Sequence, residues 1–550
     1  MGVLRAGARF AVRAFWLWPA LVTLGLGLAR LGRPALWADE LATWGAVRLS
    51  WGRLFRLLHD VDAVLGPYYT VEKAWTTLFG TSTVALRLPS VLAMAAAAAL
   101  VAVLGARLGG GRWPGLLAGL VFAVVPATSR YAQEARSYAF TILLAVLATW
   151  VLVRLLERPT AGRAAGYGVA VAGLGAAHLA GLLLLVGHAV AVLAAWAPGR
   201  RPEPASGVAS GTPGGAQPGE AGAPGPDPAR PAGAGETAGR AVPTAARAAA
   251  WRWLVAAGLA VLVLAPLARL GHRQRAQISW IAPSSWRTLA GEPAVILGDA
   301  GVGAAVVVLA LLGLCRLGLS RLGSGRDRSG RDGSGRDDRA GTRPALLLAG
   351  WAVAPVVVLY LAGEFTPAFW PRYLLYTMPA LVLLAAIFLA GIGRRWAVAA
   401  LIVVALFGAT AQAAIRGPAG HNHDTRGAAA IIAAGDRPGD AIAYALREPV
   451  VPWEARDIVA RYVPADRRPR DVFEVAPQRV DGRLTATECP DLAGCLAAAN
   501  PGRIWVLRYQ SQPDPLRDLG QPKEDLLRAH YSVTRVWLLE GLTVGLLTRR

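Results

Sequence analysis

The sequence predicts a polytopic α-helical membrane protein of about eleven transmembrane helices, with a small extracytoplasmic α/β domain at its C-terminal end. The first observation is composition: the 550-residue chain is 54% hydrophobic and only 17% charged, which excludes an ordinary soluble globular enzyme. The second is that apolar runs of roughly 20 residues, each long enough to cross a bilayer, recur through residues 1–415. The third is that residues 416–550 lose this pattern.

Eleven apolar segments are predicted to span the membrane. They cover residues 10–31, 84–106, 113–129, 138–156, 163–178, 179–197, 251–269, 300–315, 344–362, 372–391 and 396–414. Residues 163–197 allow a second interpretation, because two spans of about 16 residues each are short for a bilayer and could form one tilted helix instead. A single helix there would reverse the orientation of every later span.

The positions of the arginines predict the orientation, because positively charged loops stay in the cytoplasm. The net charge of +22 belongs to the membrane part, so it does not indicate nucleic-acid binding. With a cytoplasmic N-terminus, the arginine-rich loops lie inside and residues 416–550 lie outside the plasma membrane. Two of the inner loops, 198–246 and 321–343, are predicted to be disordered because their composition cannot bury a core.

The first outer loop, residues 32–83, carries two acidic pairs at the predicted membrane surface. Asp39 and Glu40 form the first pair, and Asp60 and Asp62 form the second. Carboxylates at the mouth of a helical bundle can act as a general base or hold a cation. The simpler alternative is a solvated loop whose acidic residues only cap helices.

The same loop is predicted to contain a helix that lies along the membrane surface. Residues 66–79 place aromatic and apolar side chains at helical spacing, but the segment is short and Glu72 and Lys73 are too polar for a comfortable span. Such a segment is typical of an interfacial helix.

Two further outer segments gather arginines, carboxylates and aromatic side chains. Residues 129–138 lie at the junction of the third and fourth spans, and residues 364–373 precede the tenth. Arginine suits phosphate because its planar fork donates paired, charge-assisted hydrogen bonds, although Tyr and Arg also anchor helices at the interface without further function. Three loops thus present carboxylates and arginines to one compartment, which suits transfer of a sugar from a lipid-linked phosphate outside the cytoplasm.

The order of these motifs resembles a known family. It runs from Asp-Glu in the first outer loop through Asp-x-Asp-Ala, Gly-x-Tyr-Tyr, Leu-Phe-Gly and Leu-Arg-Leu-Pro-Ser (86–90) to Gln-Glu-Ala-Arg-x-Tyr-Ala (133–139). This pattern resembles the C-type membrane glycosyltransferases, and within them the protein O-mannosyltransferase and aminoarabinose-transferase group, in an actinobacterial mannosyltransferase-like form. The likeness is strongest over residues 35–160.

The resemblance implies an enzyme that moves a sugar, mannose by likeness, from a polyprenyl-phosphate donor to an acceptor on the outer face. Asp39 matches the family's acidic residue and is expected to act as the base or to orient the acceptor hydroxyl, with Glu40 in support. Asp60 and Asp62 would hold the acceptor or a cation. The residues expected to bind the donor phosphate or shape its pocket are Arg136, Arg372, Gln133, Glu134, Tyr138 and Tyr373.

Other features remain open at the level of sequence. His178 and Gln277 are candidates for lining the site, and no cofactor is indicated, although a divalent cation is possible. The sugar, the acceptor (protein, glycan or lipid), metal dependence, stereochemical course and oligomeric state are not identified. A multi-pass lipid or solute transporter is the alternative, but transporters place ionisable groups near the bilayer midplane, and here they crowd the outer rim.

The C-terminal region, residues 416–550, reads as a small α/β domain without a catalytic motif. Helices are predicted at 427–434, 455–462 and 524–530, and strands at 440–445, 503–509 and, as a pair, within 533–548. Cys489 and Cys495 flank the turn 490–494. They would form a disulfide in an oxidising compartment or remain free thiols.

Overall fold

The computed structural model describes residues 14–196, 244–323, 339–445 and 451–550. Within them, seven helices are long and apolar enough to cross a membrane. They are Thr83–Leu108, Tyr138–Glu157, Leu179–Trp196, Ala245–Arg273, Ala300–Gly318, Pro344–Gly363 and Pro371–Gly391. The first turns of two of these segments, Leu179–Leu183 and Pro371–Thr377, are 3-10 helices.

Two bent helix pairs raise the number of spans to nine if each pair crosses once. Arg112–Val124 and Pro126–Ala132 meet at 64°, and Arg394–Phe407 and Ala409–Ile415 meet at 44°. The sharper bend occurs where Val125 precedes a proline and is extended, because a pre-proline residue is disfavoured in the helical region.

The predicted count of eleven spans is not confirmed. Predicted spans 10–31 and 163–178 correspond to the helices Leu17–Leu28, of 12 residues, and Ala161–Ala177, of 17 residues, which are short for a full crossing. Residues 163–197 do not form one tilted helix, since His178 is extended and ends the first segment before Leu179 begins the next.

The predicted disordered loops fall largely outside the described residues. The predicted loops 198–246 and 321–343 are too long, because some of their end residues belong to helices. These helices are Thr244–Arg273, Ala300–Gly323 and Arg339–Gly363.

Small residues allow the membrane helices to pack closely. A side chain at Gly115 would stand 2.4 Å from the carbonyl oxygen of Ala102, and one at Gly313 would stand 2.0 Å from that of Leu384. The hydrophobic effect does not drive helices together in a bilayer, because lipid tails are as apolar as the helix side chains. Close van der Waals contact of this kind therefore helps to hold the helices together.

The first outer loop folds into three short helices, Ala38–Val47, Trp51–Asp60 and Gly66–Phe79. The third presents Val71, Leu78 and Phe79 at the surface while Glu72 and Lys73 are buried. Its apolar residues thus face outward, as an interfacial helix requires, and its charged residues face the protein. A further helix, Trp286–Leu297, follows the 3-10 turn Arg275–Ile278 on the same side of the bundle.

The C-terminal region contains every helix and strand predicted for it, with small shifts in their ends. The helices are Thr425–Gly435, Glu454–Tyr462, Leu492–Ala499 and Gln521–His530. The strands are β1 (Ala441–Tyr444), β2 (Arg470–Asp471), β3 (Glu474–Ala476), β4 (Thr487–Glu488), β5 (Arg503–Tyr509), β6 (Tyr531–Leu539) and β7 (Leu542–Arg549). The short strands β2 to β4 and the helix Leu492–Ala499 were not predicted.

The main sheet of this region is mixed, in the order β2-β1-β5-β7-β6. Strand β1 is parallel to β2 and β5, whereas β7 is antiparallel to β5 and β6. One apolar face of the sheet shares a core with the first outer loop: Trp44 and Leu41 pack in the same cluster as Ile432, Ile458 and Trp505. This shared core fixes the C-terminal region over the loop that carries Asp39.

Candidate functional site

Asp39 lies between two arginines from distant parts of the chain. An oxygen of its carboxylate is 3.1 Å from a guanidinium nitrogen of Arg372 and 3.9 Å from Nε of Arg136. Arg136 also donates to the backbone carbonyl of Asp39 over 3.4 Å. All three side chains are largely buried, so their charges interact in a medium that screens them less than water does. The structure therefore brings together the three residues that the sequence placed in one site.

Glu40 points away from this cluster and into the protein. Its carboxylate forms a two-pronged ion pair with Arg87 at 2.7 and 2.6 Å and accepts the backbone N–H of Ala135 at 2.9 Å. Burial raises the pKa of Glu40, but Arg87 and His421 lower it more, so the pKa is well below its usual range. Glu40 thus ties the helix Ala38–Val47 to its neighbours and does not contact the cluster of Asp39, Arg136 and Arg372, contrary to the expectation that it supports Asp39.

The second acidic pair is also divided by the fold. Asp62 adopts a left-handed backbone conformation with φ of 59°, and its carboxylate accepts from the Tyr69 hydroxyl at 3.2 Å. The Tyr69 oxygen in turn accepts from Arg136 at 3.2 Å, which links Asp62 to the Asp39 cluster. Asp60 instead lies 3.1 Å from His59 in an exposed position, its side chain 55% accessible, so only Asp62 belongs to the site.

The segment around Gln277 closes one side of the site. In the amide orientation that satisfies both partners, Gln277 accepts the backbone N–H of Asp62 at 3.0 Å and donates to its carboxylate at 3.1 Å. Three residues earlier, Gln274 accepts the backbone N–H of Ala63 at 2.8 Å. Two amides from the 3-10 region thus hold the turn that carries Asp62.

A cavity of about 440 Å³ opens beside Arg372. Its lining combines two arginines, one carboxylate, aromatic rings, and small polar and apolar residues. The lining residues are Trp37, Arg130, Tyr131, Glu134, Thr288, Gly291, Val295, Trp370, Pro371, Arg372 and Asn422. Arg130 and Arg372 lie 5.5 and 5.4 Å from the ring centre of Trp37, and such cation–π contacts hold guanidinium groups in place. The cavity therefore offers two positioned arginines among aromatic walls.

The other residues predicted for the donor pocket lie in three different environments. Glu134 lines the cavity and is ion-paired with Arg130. Tyr138 and Tyr373 flank His178, with ring centres 5.9 and 4.8 Å from the imidazole, next to Arg372. Gln133 does not reach the cavity, because its amide donates to the carbonyls of Gly27 and Ala29 at 2.9 and 2.8 Å and so caps the end of the helix Leu17–Leu28.

Burial shifts the pKa values of two carboxyls of the site in the same direction. Burial raises the pKa of Asp62, although Arg136 and Tyr69 act in the opposite direction. Burial likewise raises the pKa of Glu134 against the effect of Arg130. Burial lowers the pKa of Arg136, but Asp39 and Tyr69 raise it more, so this guanidinium stays charged.

Sequence reasoning missed Arg479, which comes from the C-terminal region. Its guanidinium donates to Asp457 at 2.9 and 2.7 Å and is almost fully buried. It packs against Gly45, where an added side chain would stand 2.4 Å from the guanidinium carbon. The charge of Arg479 also acts on Asp62 and Tyr69. No motif marked this residue, because its position depends on how the sheet docks onto the first outer loop.

Two remaining expectations concern metals and cysteines. Within the described ranges, no group of three or more His, Cys, Asp or Glu side chains could hold a metal ion. A disulfide joins Cys489 to Cys495, with 6.6 Å between their α-carbons, and it lies in the C-terminal region away from Asp39.

A family model and several solved structures match this chain. Residues 67–203, about a quarter of the chain, match the model described as dolichyl-phosphate-mannose-protein mannosyltransferase. No curated protein sequence gives a significant match. The apo structure of ArnT from Cupriavidus metallidurans is 13% identical and aligns with a TM-score of 0.52 over 98% of this chain and 98% of that one.

Two further solved structures align less closely. ArnT from Cupriavidus metallidurans bound to undecaprenyl phosphate gives a TM-score of 0.49 at 13% identity, over 96% of this chain and 97% of that one. The oligosaccharyltransferase AglB from Archaeoglobus fulgidus, in complex with an inhibitory peptide and a dolichol-phosphate, gives 0.46 at 12% identity, over 91% and 70%. The family match and the fold shared with apo ArnT confirm the resemblance predicted from the sequence motifs.

Proposed function

We propose that this protein is an integral membrane glycosyltransferase that moves a sugar, with mannose as the first candidate, from a polyprenyl-phosphate donor to an acceptor on the outer face of the membrane. The observation that carries the proposal is the contact of Asp39 with Arg372 and Arg136 beside a cavity that holds a second arginine, Arg130. A carboxylate that can act as a base thus contacts Arg372, which lines the cavity together with Arg130. The family match to a dolichyl-phosphate-mannose-dependent group supports the same donor class.

The cavity is suited to the head of the donor. Its volume of about 440 Å³ lies in the range of small-molecule sites, roughly 300–1000 Å³. Arg130 and Arg372 can grip phosphate oxygens with charge-assisted hydrogen bonds, and the rings of Trp37 and Trp370 can pack against a sugar or the first isoprene units.

The chemistry follows from these positions. An acceptor hydroxyl attacks the anomeric carbon while the bond from that carbon to the phosphate oxygen breaks, and the polyprenyl phosphate leaves with the bonding electrons. Arg372 and Arg130 stabilise the negative charge that develops on the phosphate. Asp39 takes the proton of the hydroxyl as general base. One direct displacement of this kind inverts the anomeric centre.

Asp39 and Arg372 form an ion pair. A donor phosphate competes for the same guanidinium, and its arrival frees the Asp39 carboxylate to accept a proton. Donor binding thereby activates the base, which limits proton transfer to the loaded site. Asp62, held by Tyr69 and Gln277, sits on the far side of Arg136 and is placed to orient the acceptor.

No observation favours the transporter alternative. His188, the ionisable residue deepest in the described spans, hydrogen-bonds to Thr149 at 3.0 Å and Tyr167 at 2.8 Å. Both ring nitrogens of His188 are thus satisfied by the protein. The remaining ionisable residues of the described spans lie near the helix ends, where a transport path across the midplane would not use them.

The test is transfer of radiolabelled mannose from polyprenyl-phosphate mannose in membranes that contain the protein. We expect wild type to move label from the lipid extract into an acceptor fraction, and Asp39→Asn to lose roughly 100-fold or more of this rate, the usual contribution of a general base. Asp60→Asn is the matched control, because that carboxylate is exposed and outside the site. Equal rates for wild type and Asp39→Asn would remove Asp39 from the mechanism, and no transfer with any sugar tested would overturn the proposal.

A further inference from the structure

A second polar cavity lies at the opposite end of the helical bundle from Asp39. Its volume is about 410 Å³, and it is lined by Arg107, Arg154, Glu157, Arg158 and Arg163. The helix Tyr138–Glu157 connects the two places, because it begins two residues after Arg136 and its last turn lines the cavity. Its 20 residues rise by about 30 Å, the thickness of the hydrocarbon layer. The cavity therefore opens at the other membrane surface.

The five lining residues come from the ends of three helices. Arg107 lies at the end of Thr83–Leu108, and Arg163 lies in the first turn of Ala161–Ala177. Arg163 donates to the backbone carbonyls of Arg154 and Arg158 at 2.6 and 3.1 Å, so the loop between the helices holds this guanidinium in place. The charges are thus fixed by local structure and not spread along flexible loops.

The cavity carries more positive charge than its single carboxylate can neutralise. Glu157 is already engaged by Arg107 through two contacts of 2.6 and 2.5 Å, which leaves three arginines without a carboxylate partner in the lining. Within the described residues, no hydrogen bond or ion pair engages the guanidinium of Arg154 or Arg158. Arg154 lies 5.2 Å from the ring centre of Trp150, and a tryptophan at this depth is typical of the headgroup region.

We propose that this cavity binds a phosphate group, supplied by the headgroup of an anionic membrane lipid or by a soluble phosphate. Guanidinium groups that converge on one concave space match the several oxygens of a phosphate. Basic pockets between transmembrane helices at the membrane surface bind anionic lipid headgroups in this way. The tendency of cytoplasmic loops to be positively charged would explain arginines in these loops. It would not explain why their side chains line one cavity.

The experiment uses the purified full chain in nanodiscs of phosphatidylcholine and follows its thermal unfolding. One arm titrates short-chain phosphatidylglycerol, and the other titrates inorganic phosphate. We expect the half-saturating concentration to rise at least about tenfold in Arg154→Gln/Arg158→Gln, since each such arginine contributes about a factor of five near a headgroup. A response to phosphatidylglycerol alone identifies a lipid headgroup, and a response to inorganic phosphate as well identifies phosphate from either source.

Two further variants keep the test independent of folding. Arg394→Gln/Arg395→Gln removes two exposed arginines at the same end of the bundle but outside the cavity, and it should bind as wild type does. Glu157→Gln removes the only carboxylate of the lining and should bind more tightly. The proposal is overturned if wild type responds to neither probe, or if the two double variants lose affinity equally.

Discussion

At the scale of single residues, adjacency in sequence is a poor guide to a shared role. Asp39 and Glu40 are neighbours on the helix Ala38–Val47, where successive side chains diverge by about 100°. Glu40 is turned toward Arg87, and Asp39 is turned toward Arg372 and Arg136. The motif located the acidic pair, but only the packing around the helix shows which carboxylate contacts these two arginines.

The convergence of Asp39, Arg136 and Arg372 could be predicted because the motifs that carry them resemble those of a known family and follow one another in the same order along the chain. Arg130 and Trp37 were not among the residues predicted for the site, although Arg130 lies in the segment 129–138 and Trp37 lies two residues before Asp39. Arg130 and Glu134 have the i, i+4 spacing of an ion pair on a helix, and the structure shows this pair. The place of Arg130 and Trp37 in the cavity depends on contacts between distant segments, such as those of Arg130 and Arg372 with the ring of Trp37.

Glu72 gives a prediction about pH at the residue scale. Its side chain is buried, and burial raises its pKa from 4.5 to about 8 against the opposite effect of the Tyr68 hydroxyl. The folded protein therefore holds this proton more tightly than the unfolded chain. The contribution of this raised pKa to the stability of the folded protein is fully present below pH 4.5 and is lost as the pH rises to about 8.

The measurement compares melting temperatures of wild type and Glu72→Gln in detergent across that pH range. The glutamine cannot ionise, so the melting temperature of the variant should not fall as the pH rises. At the alkaline end its free energy of unfolding should exceed that of wild type by a few kcal/mol at most, on the order of the shift in pKa. Glu364→Gln, at an exposed position, serves as the control. Identical pH profiles for wild type and Glu72→Gln would show that Glu72 is ionised in the folded protein.

At the scale of elements, the first outer loop is shaped by what packs on it from both sides. The helix Ala38–Val47 shares a core with the C-terminal sheet through Trp44, and the 3-10 turn Arg275–Ile278 holds the loop at Asp62. Most elements of the C-terminal region were predictable from alternating polarity and turn residues. Their docking was not, because it depends on contacts more than 400 residues apart, such as that of Trp453 with the carbonyl of Ala38.

The buried pair of Arg479 and Asp457 joins these elements, and its removal is a test of the docking. Breaking a buried ion pair by removing one partner costs about 3–5 kcal/mol, so Arg479→Ala should lower the melting temperature markedly. Because Arg479 acts on Asp62 and not on the donor cavity, transfer by the variant should show a raised KM for the acceptor with little change in the KM for the donor.

A double-variant cycle separates this effect from a general loss of folding. Arg479→Met/Asp457→Leu removes both charges and should be more stable than Arg479→Ala, since no unpaired charge is left buried. Arg503→Ala is the matched control, because Arg503 pairs with Asp440 at 2.5 Å in the same sheet without contact to the site. Equal KM changes in Arg503→Ala and Arg479→Ala would mean that Arg479 acts only through stability.

At the scale of the whole molecule, the sequence predicted the membrane class and the positions of the apolar segments but not how many of them cross. Hydropathy measures whether a segment tolerates lipid. It does not register a break such as the one at His178 or the bend between Arg112–Val124 and Pro126–Ala132. The bend falls at Val125, which precedes a proline, and a hydropathy average does not detect such a local signal. The predicted orientation rests on the arginines alone.

That orientation can be tested with two introduced cysteines in a chain that carries Cys315→Ser. Asp466→Cys lies at an exposed position of the C-terminal region, and Arg395→Cys lies at the opposite end of the bundle. If positive loops stay in the cytoplasm, a membrane-impermeant maleimide should label Asp466→Cys in intact cells and Arg395→Cys only after permeabilisation. The reverse pattern would place Asp39 and its arginines in the cytoplasm, where the proposed transfer on the outer face could not take place.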